Sequence, residues 1–327
     1  FERIPVRPPL APAVMRSRPE SRRSLHLLRD LMAAADYHEV VNFSFVDASW
    51  EEDLAGRKDA IRLKNPIASQ LSVMRSTLLG GLLANARYNL NRKVGRVRVF
   101  EVGRVYLPDP GAPETPLEIA GMRQPWRIAG LAVGPAVEEQ WGVPTRAVDF
   151  FDVKADVEAL LAPRGCQVEA ALHPAFHPGR SARVLLAGQA IGWIGELHPA
   201  WQQKYELAAP PVAFELDAAP LLEAPIPRFR EVSKFPPIIR DVALLVPEAV
   251  PLQALMDALD SERTASIQDI RAFDLYRGKG IPTGQKSLAF RVVMQDTART
   301  LTDDEADAAM ARLTGILVSR FDAKVRT

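Results

Sequence analysis

The chain has 327 residues, 47% of them hydrophobic and 25% charged, and its 41 basic side chains against 40 acidic ones leave a net charge of +1. That balance argues against a disordered chain and gives no bulk-charge case for a nucleic-acid partner, while the length asks for two domains of unequal size. No apolar run approaches the roughly 20 residues a bilayer crossing needs, and Cys166, the only cysteine, excludes intrachain disulfides and cysteine-built metal sites, so a reducing, cytoplasmic setting without membrane contact is expected.

The opening at Phe1 and the proline-rich stretch from Pro5 to Pro12 read as the tail of an upstream domain and a connector, residues 1–16. Ser17-Arg18-Pro19-Glu20 has the form of a capping box, and Leu25, Leu28, Met32 and Ala35 recur at helical spacing, which predicts a helix from Arg18 to Asp36. The β-branched and aromatic run Glu39 to Val46 predicts a strand. A short helix follows at Asp47 to Leu54, then a turn at Asn65-Pro66, a helix capped by Ser76, and a strand from Val97 to Leu107. After a loop at 108–125 come a strand at Trp126 to Val133 and a helix at Asp152 to Leu161. Strands at Val168 to Leu172, Ala182 to Leu186 and Ala190 to Ile194 precede a short helix at Pro199 to Tyr205 and a strand at Val212 to Leu216. The sum is a mixed, largely antiparallel sheet with helices packed on it, an α+β domain over 17–220.

Scattered prolines mark a linker at 221–232. Beyond it, over 233–327, strands at Asp241 to Val246, Ser266 to Tyr276, Lys286 to Met294 and Ala323 to Arg326 interleave with helices starting at Pro251 and after the capping box Thr302 to Glu305. This is the βαββαβ order of a ferredoxin-like fold, with an open sheet face for a ligand.

Catalytic motifs are scarce. His173 and His177 have the spacing of a helical metal pair, but Pro174 and Pro178 oppose a helix there, and Arg183 stands where a nucleophile elbow around Ser181 needs glycine. An autonomous hydrolase using His173, His177, His198 or Ser181 is the alternative enzyme reading, and a protein-interaction module is the alternative binding reading. The loop Gly278 to Gly284 has the wrong glycine spacing for a phosphate loop and reads as a hairpin connection.

Several blocks occur in one order: Asn65-Pro66-Ile67, Val73-Met74-Arg75-Ser76-Thr77-Leu78-Leu79-Gly80-Gly81, Phe100-Glu101-Val102-Gly103, Asp149-Phe150-Phe151-Asp152, His177-Pro178-Gly179-Arg180-Ser181-Ala182 and Gly195-Glu196-Leu197-His198-Pro199. Phe273-Asp274-Leu275-Tyr276 and Arg299 to Glu305 follow in the second part. Together they resemble the β subunit of bacterial phenylalanyl-tRNA synthetase, over almost the whole chain. The resemblance implies a catalytically silent domain shaped like a class II synthetase core, then a ferredoxin-fold anticodon-binding domain. In that picture the first helix and strand dock the catalytic α subunit of an α2β2 heterotetramer, and the whole enzyme, a ligase for tRNA(Phe), uses ATP and Mg. The glycine-rich third motif that carries an ATP-binding arginine is not found here, and the family's editing segments would precede Phe1. By the same resemblance Tyr276 stacks on an anticodon base, Asp274 accepts hydrogen bonds from a guanine edge at the first anticodon position, and Lys279, Lys286 and Arg291 are candidate phosphate contacts. Strand alternation places Asp274 and Tyr276 on one face and sends Phe273 and Leu275 into the core. Asp36 and Gly80 depart from the family pattern, where glycine and proline are expected.

Overall fold

The structure, a computed structural model, describes residues 19–115, 119–229 and 231–326, besides Arg3, Pro5 and Ser17. The expected connector at 1–16, except Arg3 and Pro5, and Arg18 of the expected capping box lie outside the described residues. The chain divides into two compact units, Phe1–Ile226 and Pro227–Thr327.

In the first unit the elements run α1 (Leu25–Ala34), β1 (His38–Glu39), β2 (Phe45–Val46), α2 (Ala48–Ala55), β3 (Val73–Met74), α3 (Leu79–Leu90), β4 (Val97–Arg104), β5 (Leu107–Pro108), β6 (Met122–Arg123) and β7 (Trp126–Val133). They continue with α4 (Phe150–Leu161), β8 (Gln167–Ala170), β9 (Phe176–Leu186), β10 (Gln189–Leu197), α5 (Pro199–Lys204), β11 (Val212–Asp217) and α6 (Ala218–Leu221). Seven strands form one sheet in the order β1-β4-β7-β11-β10-β9-β8, parallel only between β1 and β4. Both faces are covered, so central strands read as apolar runs rather than alternating ones. Phe100, Ile128, Ala132 and Phe214 face Leu28 and Met32 of α1 and Val153, Val157 and Leu160 of α4. Their strand neighbours Val99, Ala129, Leu131 and Ala213 face Leu79, Leu82, Leu83 and Ala86 of α3.

The first helix begins later than its pattern suggests. Ser24, not Ser17, caps it, accepting a hydrogen bond from the Leu27 amide at 3.3 Å. The preceding turn is held extended instead, by an Arg22–Glu223 bridge and the amide of Arg23 on the Leu222 carbonyl at 2.8 Å. Asp36 takes the left-handed conformation, φ 66°, that a helix-ending residue needs there, and its carboxylate pairs with Arg96 at 2.5 Å. The strand expected from Glu39 to Val46 is split, because β1 pairs with β4 and β2 with β3, leaving Val41 and Phe43 between them 91% and 75% exposed.

Ser76 does not cap α3 either. Arg75, Ser76 and Thr77 are all buried, and each meets a carboxylate from a different element. Arg75 donates to Glu101 at 2.7 Å, and Glu101 also accepts from Asn42 at 2.8 Å. Glu51 of α2 accepts from the Ser76 amide at 3.1 Å and from its hydroxyl. Burial pushes the Glu51 carboxyl above its ordinary pKa against the pull of those two donors. Thr77 donates to Glu215 at 3.1 Å, as do the Leu78 amide at 2.6 Å and Arg127 at 2.9 Å. Two glycines of this region allow close approach: a Cβ at Gly80 would lie 2.4 Å from the Trp50 ring, and one at Gly103 2.4 Å from the Arg75 guanidinium.

The second unit holds β12 (Ile238–Pro247), α7 (Leu252–Ser261), β13 (Ile267–Tyr276), β14 (Gln285–Met294), α8 (Asp303–Phe321) and β15 (Lys324–Val325), the expected βαββαβ order. Its sheet runs β13-β14-β12-β15, with every pairing antiparallel. One face packs on the helices, through Leu244, Val246, Leu288, Phe290 and Val292 against Leu255, Leu259, Leu313 and Leu317. Thr302 and Glu305 form the reciprocal capping box that starts α8.

Candidate nucleic-acid interface

Strand β14 alternates between core and face. Leu288, Phe290 and Val292 enter the core, so Ser287, Ala289 and Arg291 point to the uncovered side. Cross-strand partners share a face, and the register puts Tyr276 opposite Ser287, Asp274 opposite Ala289, and both Arg271 and Asp241 opposite Arg291. Asp274 and Tyr276 therefore share the open face, as strand alternation requires. The carboxylate of Asp274 is exposed and has no hydrogen-bond or ion-pair partner among the described residues. It is free to accept from a ligand.

Phe273 does not enter the core as expected, and Leu275, opposite Leu288 on the helix-facing side, is only partly covered there. They are 50% and 48% exposed. The register shifts between Ala272 and Asp274, leaving Phe273 as the bulged residue, and a bulge re-aims the side chain it carries. Its ring lies under the Arg291 guanidinium at 4.9 Å, on the open side. Arg291 in turn donates to both oxygens of Asp241, at 2.8 and 2.6 Å, which holds the Asp241 carboxyl below the usual range.

Tyr276 is held at both ends. Its hydroxyl donates to the Lys279 carbonyl at 3.2 Å, and the Arg326 guanidinium sits 5.3 Å above its ring, reaching the Ser287 hydroxyl at 3.4 Å. A Cβ at Gly278 would fall 2.9 Å from that tyrosine hydroxyl, so only glycine leaves the tyrosine where it is. Lys279 is exposed beside this turn. Lys286 does not join the group: it falls on the helix-facing side of β14, is 8% exposed, and gives its ammonium to the Glu248 carbonyl at 2.9 Å. Neither Arg326 nor Phe273 is marked as ligand-facing by the sequence. A basic residue at the end of the last expected strand, Ala323 to Arg326, is the only signal for the first, and a bulge has none for the second.

The first unit's polar floor differs in kind. A cavity of about 420 Å³ is lined by Thr77, Arg127, His173, Trp193, Glu215 and Asp217 among others. Burial works against the charge of Arg127, but Glu215 and Asp217 outweigh it and raise its pKa, so the guanidinium keeps a charge that two carboxylates already balance. His173 accepts the Ala175 amide at 3.2 Å, His177 the Gly179 amide at 3.0 Å, and His198 the Ala200 amide at 3.1 Å at the start of α5. Burial holds His173 down to about 4. Ser181 donates to the Ala171 carbonyl at 2.5 Å. These side chains serve turns and helix starts, which leaves the hydrolase reading without support.

Residues 4–218 match the family described as phenylalanyl tRNA synthetase beta chain CLM domain, and residues 233–326 the ferredoxin-fold anticodon binding domain. The chain is 52% identical over 335 residues to the phenylalanine–tRNA ligase beta subunit of Ralstonia nicotianae, covering 100% of this chain and 41% of that relative. The corresponding protein of Dechloromonas aromatica is 51% identical over 329 residues with the same coverage. The chain thus spans about two fifths of the length of the curated relatives it matches. A crystal structure of pyrrolysyl-tRNA synthetase from Desulfitobacterium hafniense aligns over 62% of this chain and 69% of that one, at a TM-score of 0.42 and 15% identity. No helix among the described residues is long and apolar enough to cross a membrane. With both of its units matched in order, the chain belongs to the phenylalanyl-tRNA synthetase β-chain family, with a synthetase-like sheet domain followed by a ferredoxin-fold anticodon-binding domain.

Proposed function

We propose that this chain is the part of a phenylalanine–tRNA ligase β subunit that docks the catalytic α subunit through residues 17–220 and reads the anticodon of tRNA(Phe) through residues 233–327. The observation that carries the reading is the unpartnered Asp274 carboxylate two residues from Tyr276 on an uncovered sheet face. A stacked base on the tyrosine brings its edge towards an acceptor, the pairing by which unpaired bases are read. Lys279 is placed for a phosphate contact at the rim. Docking is supported by apolar side chains left in water on α1 and in the segment between β1 and β2, namely Leu27, Val41 and Phe43. ATP and Mg chemistry, in an α2β2 assembly, falls to the α subunit in this reading, since an arginine already shared between Glu215 and Asp217 is not available to a triphosphate.

The test is binding of the tRNA(Phe) anticodon stem-loop to the chain and to its Tyr276→Ala variant. Loss of one base stack weakens binding by about 1–3 kcal/mol. Equal affinity of the two would remove the reading site. Pyrophosphate exchange with phenylalanine and ATP by the chain without an α subunit would overturn the division of labour.

A further inference from the structure

Resting on the anticodon reading above, we propose that Phe273 is a second base-stacking platform on the same face as Tyr276, and that Arg291 and Arg326, each fixed beside one of the rings, flank the bases stacked there. The ligand class is single-stranded RNA with two bases splayed out of a loop.

The first support is the bulge. A regular strand would carry position 273 alternately with its neighbours, and the core already takes Ile270 and Leu288 without it. The register shift between Ala272 and Asp274 instead leaves a large ring half in water on the ligand side. Bulges are a recurrent means of re-aiming one side chain beside a functional site.

The second support is the repetition of one arrangement. Phe273 has Arg291 at 4.9 Å from its ring centre, and Tyr276 has Arg326 at 5.3 Å. Each arginine is also anchored, Arg291 by both oxygens of Asp241 and Arg326 by the Ser287 hydroxyl. An anchored guanidinium beside an aromatic ring offers a base two flat partners, and both kinds of surface stack on nucleobases. Phe273 and Tyr276 are three positions apart, about 10 Å along a strand. That spacing is too wide for two bases stacked on each other and suits two that are pulled apart. A peptide partner would want a continuous apolar surface here, but the rings are interleaved with Arg271, Asp241, Arg291 and Arg326.

The test uses the full chain and the tRNA(Phe) anticodon stem-loop, unlabelled for affinity and with 2-aminopurine placed at one loop position at a time for stacking. For the wild type, two loop positions are expected to change fluorescence on saturation. Tyr276→Ala should abolish one response and leave the other. Phe273→Leu, which keeps an apolar side chain but no ring, should abolish the second response and weaken the intact loop about tenfold, within the range of one lost base–aromatic stack. Phe273→Tyr should bind as the wild type does. If Phe273→Leu binds normally while Tyr276→Ala is weakened, the second platform is wrong and the anticodon reading stands. If neither substitution changes affinity, both fall. Should Phe273→Leu fail to fold, the wild type and Tyr276→Ala decide: a 2-aminopurine response that survives loss of Tyr276 supports the second platform, and none surviving overturns it.

Discussion

Replacing Arg75 by methionine isolates the energetic role of the block Arg75-Ser76-Thr77. The Arg75 and Glu101 side chains are 6% and 4% exposed and 2.7 Å apart, so the substitution leaves a buried carboxylate with Asn42 as its remaining donor and strands the Arg104 carbonyl that Arg75 also serves at 3.0 Å. Breaking one side of a buried pair costs about 3–5 kcal/mol, because the surviving charge keeps its desolvation penalty without its partner. At a urea dependence of about 2–3 kcal/mol per molar, that shifts the midpoint of the first unit by roughly 1–2 M. Tryptophan fluorescence reads this unit by itself, since Trp50, Trp126, Trp141, Trp193 and Trp201 all precede residue 227 and are all five tryptophans of the chain. Adding Glu101→Gln to Arg75→Met removes the uncompensated charge and should recover about half of the loss, a coupling of the size found for contacting buried groups. A single-substitution cost below about 1 kcal/mol, the level of an exposed pair, would refute the view that this block is a buried structural network.

Glu305 gives a pH prediction in the second unit. The Arg299 guanidinium, then the Thr302 amide, hold its carboxyl down to about 2 from an ordinary 4.5. A folded-state value below the unfolded one means that its contribution is complete above about 4.5 and is lost as pH falls towards about 2. Carboxyl NMR titration should find that low value, and Arg299→Ala should return it towards the ordinary one; a normal value in the wild type contradicts the pairing. Lys286→Met should leave RNA affinity and its salt dependence unchanged, because the ammonium is spent on the Glu248 carbonyl away from the open face. A salt slope smaller by about one phosphate contact would place Lys286 at the RNA after all.

Much of this architecture was legible in residue patterns. The strand at Trp126–Val133 matches its apolar run end to end, and the box Thr302 to Glu305 marks the start of α8 to the residue. Where local pattern failed, a distant partner had intervened. Ser17 and Ser76 both look like caps, yet the segment after the first is held by Glu223 and Leu222, and the second is claimed by Glu51, a residue 25 positions earlier. The continuous run Glu39 to Val46 hides a change of partner from β4 to β3 that no single-strand pattern encodes. At the candidate site, strand period sufficed to pair Asp274 with Tyr276 on one face. It misplaced Phe273, because one inserted residue in the ladder reverses the alternation upstream of it, and composition does not announce a bulge.

The central claim is that the open face of the second unit reads a guanine through Asp274. The most direct measurement is a double-substitution cycle on stem-loop binding, crossing Asp274→Asn with replacement of the guanine at the first anticodon position by adenine. Hydrogen bonds to a charged acceptor predict a coupling of about 1.5–3 kcal/mol, with the wild-type chain losing affinity on base replacement and the Asp274→Asn variant nearly indifferent to it. Independent, additive effects of the two changes would contradict the assignment of Asp274 as the base reader.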